Sequence, residues 1–229
     1  MTNHSHQEQN QDRPDSRLSF FGAITASISH ELNNVISIID QTNGLLEDLV
    51  AANESEITMT SDRLASIASG IQKQTERGLT IIKRLNRFAH SSDFPVTEYN
   101  PGEILENLCA ICQRLADMKR VKLIFKSAPD SDRVTGNPFL LQQTVFEIIR
   151  AFLNIAQKDN EIAVEYLTAE NQPTIIISGP SPETEWSDSD TAGVSMGIAE
   201  LGAELDIAYN PDISRFRIIL PQNPGNTQA

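Results

Sequence analysis

Apolar and small residues follow a regular spacing along the first part of the chain. From residue 21 to residue 49 they recur at alternating steps of four and three, which places them on one face of a helix, as in a coiled coil. These positions are Phe21, Thr25, Ile28, Leu32, Val35, Ile39, Thr42, Leu46 and Leu49. The same steps recur at Leu64, Ile67, Ile71, Thr75, Gly78, Ile82, Leu85 and Ala89. Because residues 53–55 interrupt the pattern, we predict two long helices in an antiparallel hairpin.

The predicted hairpin has more apolar surface than one seam can bury. Further apolar residues flank the seam: Ile24, Ile36, Ile38 and Leu45 on the first helix, and Ile81 and Phe88 on the second. Pairing two hairpins into a four-helix bundle would bury this surplus. We therefore predict a homodimer formed through residues 17–92, to which each copy contributes two helices.

Beyond a linker at residues 91–95 the pattern becomes mixed. Helical spacing covers residues 101–118, 137–155 and 193–201, and strand-like patterns cover residues 121–126, 161–168, 174–178, 205–208 and 216–220. Helices combined with a largely antiparallel sheet are typical of an α+β sandwich. The predicted fold class is therefore α+β, with a helical hairpin at residues 17–92 and a sandwich at residues 97–222. The polar residues 1–16 are predicted to be a disordered arm, and residues 223–229 a tail.

The charge of the chain excludes several classes of partner. A net charge of −13 argues against nucleic acid, which requires a basic face, and against an anionic membrane surface. No apolar run approaches the ~20 residues of a membrane-spanning helix. Residues 1–16 also lack the apolar core of a signal peptide. We therefore expect a cytoplasmic protein.

The two cysteines, Cys109 and Cys112, have the spacing of a zinc or redox motif. A zinc site would need two more ligands at a comparable spacing, and the sequence does not offer them. Both cysteines lie within an apolar-periodic segment, and free cysteine is usually buried. We predict that they are core residues of a helix, and no metal site is expected.

One polar segment on the first helix could carry chemistry. His30 lies two residues after Ile28 and two before Leu32, so the helical spacing directs it away from the seam and toward solvent. Glu31 is adjacent, and Asn34 lies one turn further on the same side. A neutral imidazole is a competent nucleophile. Glu31 could orient the ring, and Asn34 could hold a water or a phosphoryl oxygen. From spacing alone, an ordinary surface histidine remains an equal interpretation.

The run His30-Glu31-Leu32-Asn33-Asn34 resembles the H-box of histidine kinases, which lies in their dimerisation and phosphotransfer domain. The resemblance extends over residues 17–92. It implies that His30 accepts a phosphoryl group, that Glu31 assists transfer to it, and that Asn34 assists phosphatase activity. The family often has a proline just after this motif, where this chain has Val35.

Residues 97–220 resemble the ATP-binding domain of the same kinases, through the segments at residues 99–105 and 136–143. Where that family has nucleotide-binding groups, this chain has Glu147, Ala151 or Phe152, Ser178, Ser181 and Ser195. The loop at residues 182–192 is also short for a lid over nucleotide. Without the magnesium-binding asparagine and the phosphate-loop glycines, nucleotide binding loses its ligands. The resemblance therefore implies a kinase-like fold without nucleotide chemistry.

This combination resembles the ChpT-type histidine phosphotransferases in architecture. It implies that His30 carries phosphate between receiver-domain aspartates in a bacterial two-component phosphorelay. The chain itself would bind no cofactor, and the receiver domain would supply magnesium. The expected partners are response-regulator receiver domains and a second copy of the chain, with a hybrid histidine kinase as a further candidate. Two alternatives stay open: an ATP-dependent histidine kinase, and a non-catalytic protein that binds a kinase or receiver.

Overall fold

A computed structural model describes residues 16–53, 60–128 and 133–221, without the side chains of residues 52 and 53. The predicted arm before Ser16, the tail at residues 223–229, and Glu54 and Ser55 of the interruption lie outside the described residues. The chain divides into a helical unit, Thr25–His90, and an α+β unit formed by Ser91–Ala229 together with the chain up to Ile24. The prediction placed the start of the hairpin at residue 17, whereas the structure groups residues 16–24 with the α+β unit.

The helical unit consists of most of α1, Ser16–Asn53, and of α2, Ser61–His90. On α1 the predicted seam is confirmed, since Ile28, Val35 and Leu49 are buried and the seam residues between them are half-buried. A Cβ atom added to Gly78 would lie 3.4 Å from Val35 Cγ1, so the two helices approach closely at this glycine. Val35 and Gly78 lie about equally far from the connection, as an antiparallel pair requires.

The predicted seam of α2 is wrong at its first position, where Leu64 is exposed, and again in its second half. The structure buries Ile81 and Phe88 and exposes Thr75 and Ile82. The pattern is ambiguous here because Ile81-Ile82 and Phe88-Ala89 are adjacent apolar pairs, which satisfy either of two frames. The observed seam consists of Ile67, Ile71, Gln74, Gly78, Ile81, Leu85 and Phe88.

The α+β unit contains a five-stranded sheet and three helices of its own. Its elements are β1 (Thr97–Tyr99), α3 (Pro101–Lys119), β2 (Lys122–Ser127), β3 (Val134–Gly136), α4 (Pro138–Ile155), β4 (Glu161–Ala169), β5 (Gln172–Pro180), α5 (Asp188–Leu201), β6 (Glu204–Tyr209) and β7 (Ile213–Ile219). The strand order is β2-β4-β5-β7-β6, in which only β2 and β4 are parallel, and β1 pairs with β3. The predicted α+β fold, a helical hairpin followed by a sandwich, is confirmed.

Side-chain caps fix where the helices begin. Asn100 and Asn137 accept hydrogen bonds from backbone N–H groups at the starts of α3 and α4, and each precedes a proline in the first turn. Helix α5 begins at Asp188, earlier than the predicted residue 193. Ser187 and Asp190 form a capping box there, a signal that the apolar spacing does not contain. Hydrogen bonds from Ser187 lower the pKa of Asp190.

The core of the α+β unit includes both cysteines. Cys109 and Cys112 are free and buried on α3, as predicted. Burial raises the pKa of the Cys109 thiol to about 12 and that of Cys112 well above its ordinary value. Within the described ranges, no group of three or more His, Cys, Asp or Glu side chains could hold a metal ion. Nor is any described helix both long and apolar enough to cross a bilayer.

The first turns of α1 pack within the α+β unit. The ring centroid of Phe20, which is fully buried, lies 5.5 Å from that of Phe139 and 4.9 Å from that of Phe146. Gln143 Nε2 donates a hydrogen bond of 3.0 Å to Ser16 Oγ. Phe21, which the heptad pattern placed in the hairpin seam, is instead exposed. The frame changes because these turns are packed by aromatic residues of α4.

Helices α4 and α5 meet at a glycine, which gives a first test of the fold. A Cβ atom at Gly197 would collide with the hydroxyl of Thr144, a buried residue held by its bond to the Leu140 carbonyl. We predict that Gly197→Ala lowers the free energy of unfolding by about 1–3 kcal/mol, as overpacking usually does. Urea denaturation of the purified chain measures this change.

The matched control for this test is Gly193→Ala, one turn earlier on α5. A Cβ atom there lies 4.0 Å from Glu147 Cγ, which is an ordinary contact. Alanine should then stabilise the helix by up to about 1 kcal/mol. Equal free energies of unfolding for the two variants would show that α5 does not pack on α4 through Gly197.

Candidate functional site

The three predicted site residues lie together on α1. His30 and Asn34 are exposed and Glu31 is half-buried. Residues four apart on a helix are neighbours, with Cβ atoms about 5–6 Å apart, so Asn34 lies beside His30. Among the described residues, no hydrogen bond or ion pair involves His30. The imidazole is therefore accessible from solvent and available to an incoming group.

The packed seam of α1 lies on the side of the helix opposite this exposed histidine. Ile28 and Val35 are buried on the opposite side of the helix, and Leu32 between them is half-buried. Helix α1 continues through Val35 without a break. A proline at that position would remove a backbone hydrogen bond and kink the helix, so Val35 keeps the helix regular under His30.

This arrangement can perform nucleophilic chemistry on a phosphoryl group. The ring nitrogens of His30 face solvent, and a carboxylate at Glu31 and an amide at Asn34 lie on the same turn and the next. A carboxylate can accept a hydrogen bond from one ring nitrogen and leave the other free to attack. An amide can donate to a phosphoryl oxygen or hold a water molecule.

The resemblance in sequence assigns nucleotide binding to α4, the end of β5 and the start of α5. In the structure, Phe152 of α4 is fully buried directly under Gly179 of β5. A Cβ atom at Gly179 would lie only 2.7 Å from Phe152 Cδ1. Gly179 is therefore required by the phenylalanine ring, which lies at one of the two positions, Ala151 or Phe152, to which the resemblance assigns the magnesium-binding asparagine.

A tryptophan ring also packs against Phe152. The ring of Trp186 lies edge-on to those of Phe152 and Phe216, with centroid distances of 5.5 Å and 5.4 Å. Phe152 and Phe216 also meet edge-on at 5.5 Å. The indole Nε1 is buried without a hydrogen-bond partner in the described part of the chain. The sequence analysis missed Trp186; its one signal was the only tryptophan of the chain within an otherwise polar loop.

One of the two glycines of α5 is also committed to packing. Gly197 lies against Thr144 of α4, whereas Gly193 is exposed. Backbone that contacts a neighbouring helix is not free to approach phosphate. The shallow cavity of about 250 Å³ beside Gly179 is lined in part by Glu161 and Asp212, whose charges repel a triphosphate. The residues present therefore do not fit a nucleotide.

No family model matches the sequence, and no curated protein matches it either. Among solved structures, the catalytic domain of the histidine kinase ThkA is similar with a TM-score of 0.50 and 12% identity, over 57% of this chain and 100% of that domain. The histidine kinase AdeS of Acinetobacter baumannii has a TM-score of 0.49 and 14% identity, over 85% of this chain and 98% of its own. ThkA in complex with the response regulator protein TrrA gives 0.49 and 15%, over 92% of this chain and 64% of that one.

At these identities the similarity concerns the fold and not the activity. The ThkA catalytic domain is matched along its whole length, and it shares with this chain the α+β unit and not the helical unit. The α+β unit therefore has the fold of a histidine kinase catalytic domain.

Proposed function

We propose that this chain is a histidine phosphotransferase of a bacterial two-component phosphorelay, in which His30 carries a phosphoryl group between receiver-domain aspartates. One observation carries the proposal. An exposed histidine with Glu31 and Asn34 beside it lies on a chain that has a kinase-type fold, and the aromatic rings of that fold occupy the expected place of the nucleotide. The chain would then receive its phosphate from another protein and not from ATP.

The proposed transfer requires little of this chain beyond placement of the nucleophile. A ring nitrogen of His30 attacks the phosphorus of an aspartyl phosphate; a P–N bond forms, the P–O bond to the aspartate breaks, and the carboxylate leaves. The second ring nitrogen keeps its proton and donates it in a hydrogen bond to Glu31. The reverse step delivers the group to a second receiver. The receiver would hold a magnesium ion, which would neutralise charge on the phosphoryl oxygens.

Assembly of two copies forms part of the proposal. Several large apolar side chains of the helical unit are exposed in a single copy: Ile36, Ile38, Leu45, Val50, Leu64, Leu79 and Ile82. Isolated exposed apolar residues are ordinary, but seven large ones on two helices are typical of surfaces that bind another protein. A cytoplasmic homodimer with a four-helix bundle would bury these residues.

Removing the nucleophile is the direct test of the relay. We predict that His30→Ala abolishes labelling by phosphorylated receiver domains while the free energy of unfolding changes by less than ~0.5 kcal/mol, as for most exposed positions. Acid-labile radioactive label on the protein measures transfer. The matched control is His90→Ala, which removes another exposed histidine, at the end of α2.

Two further variants distinguish the roles around the nucleophile. Glu31→Ala should slow transfer by about 10²–10⁴-fold, the usual range for a proton-handling group, without abolishing it. Asn34→Ala should mainly change the lifetime of the phosphorylated species. Label that persists on His30→Ala at the wild-type level would disprove the assignment of His30. Binding of receivers without any label on the wild-type chain would favour the non-catalytic alternative.

The second prediction concerns ATP, and it distinguishes a relay protein from a kinase. Isothermal calorimetry with magnesium and ATP should give no binding below about millimolar concentration, because Phe152 and Trp186 fill the site. The fluorescence of Trp186, the only tryptophan, should stay unchanged during the titration. Micromolar affinity, or autophosphorylation from labelled ATP, would instead establish an ATP-dependent histidine kinase.

The third prediction concerns the dimer. Multi-angle light scattering should give twice the chain mass of 25.3 kDa at micromolar concentration. Ile36→Asp, at a residue that is 61% exposed within one copy, should shift the protein toward monomer, since burying an unpaired charge at an interface is costly. Val96→Asp, at a 67% exposed residue outside the helical unit, is the control and should leave the dimer intact. A monomeric wild-type protein would exclude the four-helix bundle.

A further inference from the structure

Two asparagines follow the proposed nucleophile on α1, one turn further along the helix. Asn33 and Asn34 are both exposed and lie three and four residues after His30. Side chains three and four residues apart are neighbours on a helix surface. The family resemblance gives a role to Asn34 and none to Asn33. Both amides are nevertheless within reach of a group that is bound to the ring of His30.

The two asparagines lie on opposite flanks of His30. At 3.6 residues per turn, Asn34 lies about 40° from His30 to one side around the helix axis, and Asn33 about 60° to the other side. Glu31, about 100° from His30, lies on the flank of Asn34. Asn33 therefore brings a hydrogen-bond donor to a flank that Asn34 and Glu31 do not cover.

The tilt of side chains on a helix favours the residues that come after His30. Each Cα–Cβ bond is inclined toward the start of the helix, so residues one turn after His30 lean over the turn that carries it. One turn before His30, Ala26 has no polar side-chain atom and Ser27 is buried. Among the side chains three or four residues from His30, the available donors are therefore Asn33 and Asn34.

Both amides are free to bind a group from outside. No hydrogen bond involves Asn33 or Asn34 within the described ranges. Four residues after them stand Ser37 and Ile38, which offer no carboxylate. Where a carboxylate does follow by four residues on these helices, the amide donates to it: Asn43 to Glu47 at 2.9 Å, Gln72 to Glu76 at 2.8 Å and Gln113 to Asp117 at 2.9 Å.

Helix α1 offers a phosphoryl group on His30 no positive charge. Residues 18–53 contain four acidic residues and no lysine or arginine, in a chain of net charge −13. A phosphoryl group adds further negative charge and three acceptor oxygens. The favourable contacts that α1 can make with such a group are therefore hydrogen bonds from neutral donors.

We propose that Asn33 is a further catalytic residue, whose side-chain amide donates a hydrogen bond to an oxygen of the phosphoryl group on His30. The inference rests on the proposed function. Asn33 and Asn34 then hold the group from opposite flanks and restrict its rotation about the P–N bond. Asn33 forms no covalent bond and transfers no proton. It stabilises the charge on the phosphoryl oxygens while the P–N bond forms and breaks.

The experiment places the phosphoryl group on His30 chemically, without any partner protein. The full chain is phosphorylated with phosphoramidate and studied by phosphorus NMR, and the resonance that is missing from His30→Ala belongs to His30. Asn33→Ala is compared with Gln41→Ala, which removes an exposed amide on the same side of α1 about 16 Å further along. Two quantities are measured: the pKa of the phosphoryl group and the rate at which His30 loses phosphate.

Asn33→Ala should raise the pKa of the phosphoryl group, because a hydrogen bond to the charged form lowers a pKa. It should also speed the loss of phosphate by about two- to tenfold, the scale of one hydrogen bond. Gln41→Ala should match the wild type in both. Equal values for the two variants would overturn the inference. A change in the pKa of the unmodified imidazole, with none in that of the phosphoryl group, would also overturn it, since the amide would then contact the ring.

The same variants separate this inference from the relay. If Asn33→Ala has both effects but no phosphorylated receiver ever labels His30, the contact of Asn33 with the phosphoryl group stands and the relay falls. If receivers label His30 but Asn33→Ala behaves like Gln41→Ala, the relay stands and the inference falls. If His30→Ala removes no resonance, His30 accepts no phosphoryl group and both are overturned.

Discussion

Helix α4 is the element around which the α+β unit is packed. Twelve of its eighteen residues are buried, so the helix contacts other elements on most of its circumference, unlike an ordinary surface helix with one apolar stripe. Phe146 contacts the start of α1, Thr144 contacts α5, and Phe152 contacts β5. Each of these contacts fixes the position of a different element relative to the same helix.

This packing uses residues at the positions that the sequence resemblance assigns to nucleotide binding. A site for ATP needs open space above such a helix, polar side chains that face this space, and glycines whose backbone is free. Here Phe152 presents a ring and Gly179 lies on that ring. The residues proposed to carry chemistry lie instead on α1, where His30 is exposed on a regular helix. The α+β unit is therefore the tightly packed part of the chain, and the helical unit carries the exposed residues that are proposed to react.

The spacing of apolar residues predicted the structure correctly where only one helical frame fitted the pattern. It predicted the seam of α1 and with it the exposure of His30, and it placed the starts of α3 and α4 to within one residue. It failed where two frames were equally apolar, as at Ile81-Ile82, because only the partner helix decides between them. The contacts of Phe20 and Trp186 could not be predicted either, since each ring packs against residues distant in sequence, and local periodicity contains no information about such neighbours.

The aromatic cluster also limits how this sequence could change. Phe152→Asn alone would remove a ring on which Trp186 and Phe216 pack, at a cost of about 3–5 kcal/mol for a large aromatic side chain, and would bury an amide among apolar neighbours. The same change would leave the indole of Trp186 without one of its two aromatic neighbours. Substitutions at residues 152, 186 and 216 are therefore coupled in their effect on stability, because the three rings contact one another.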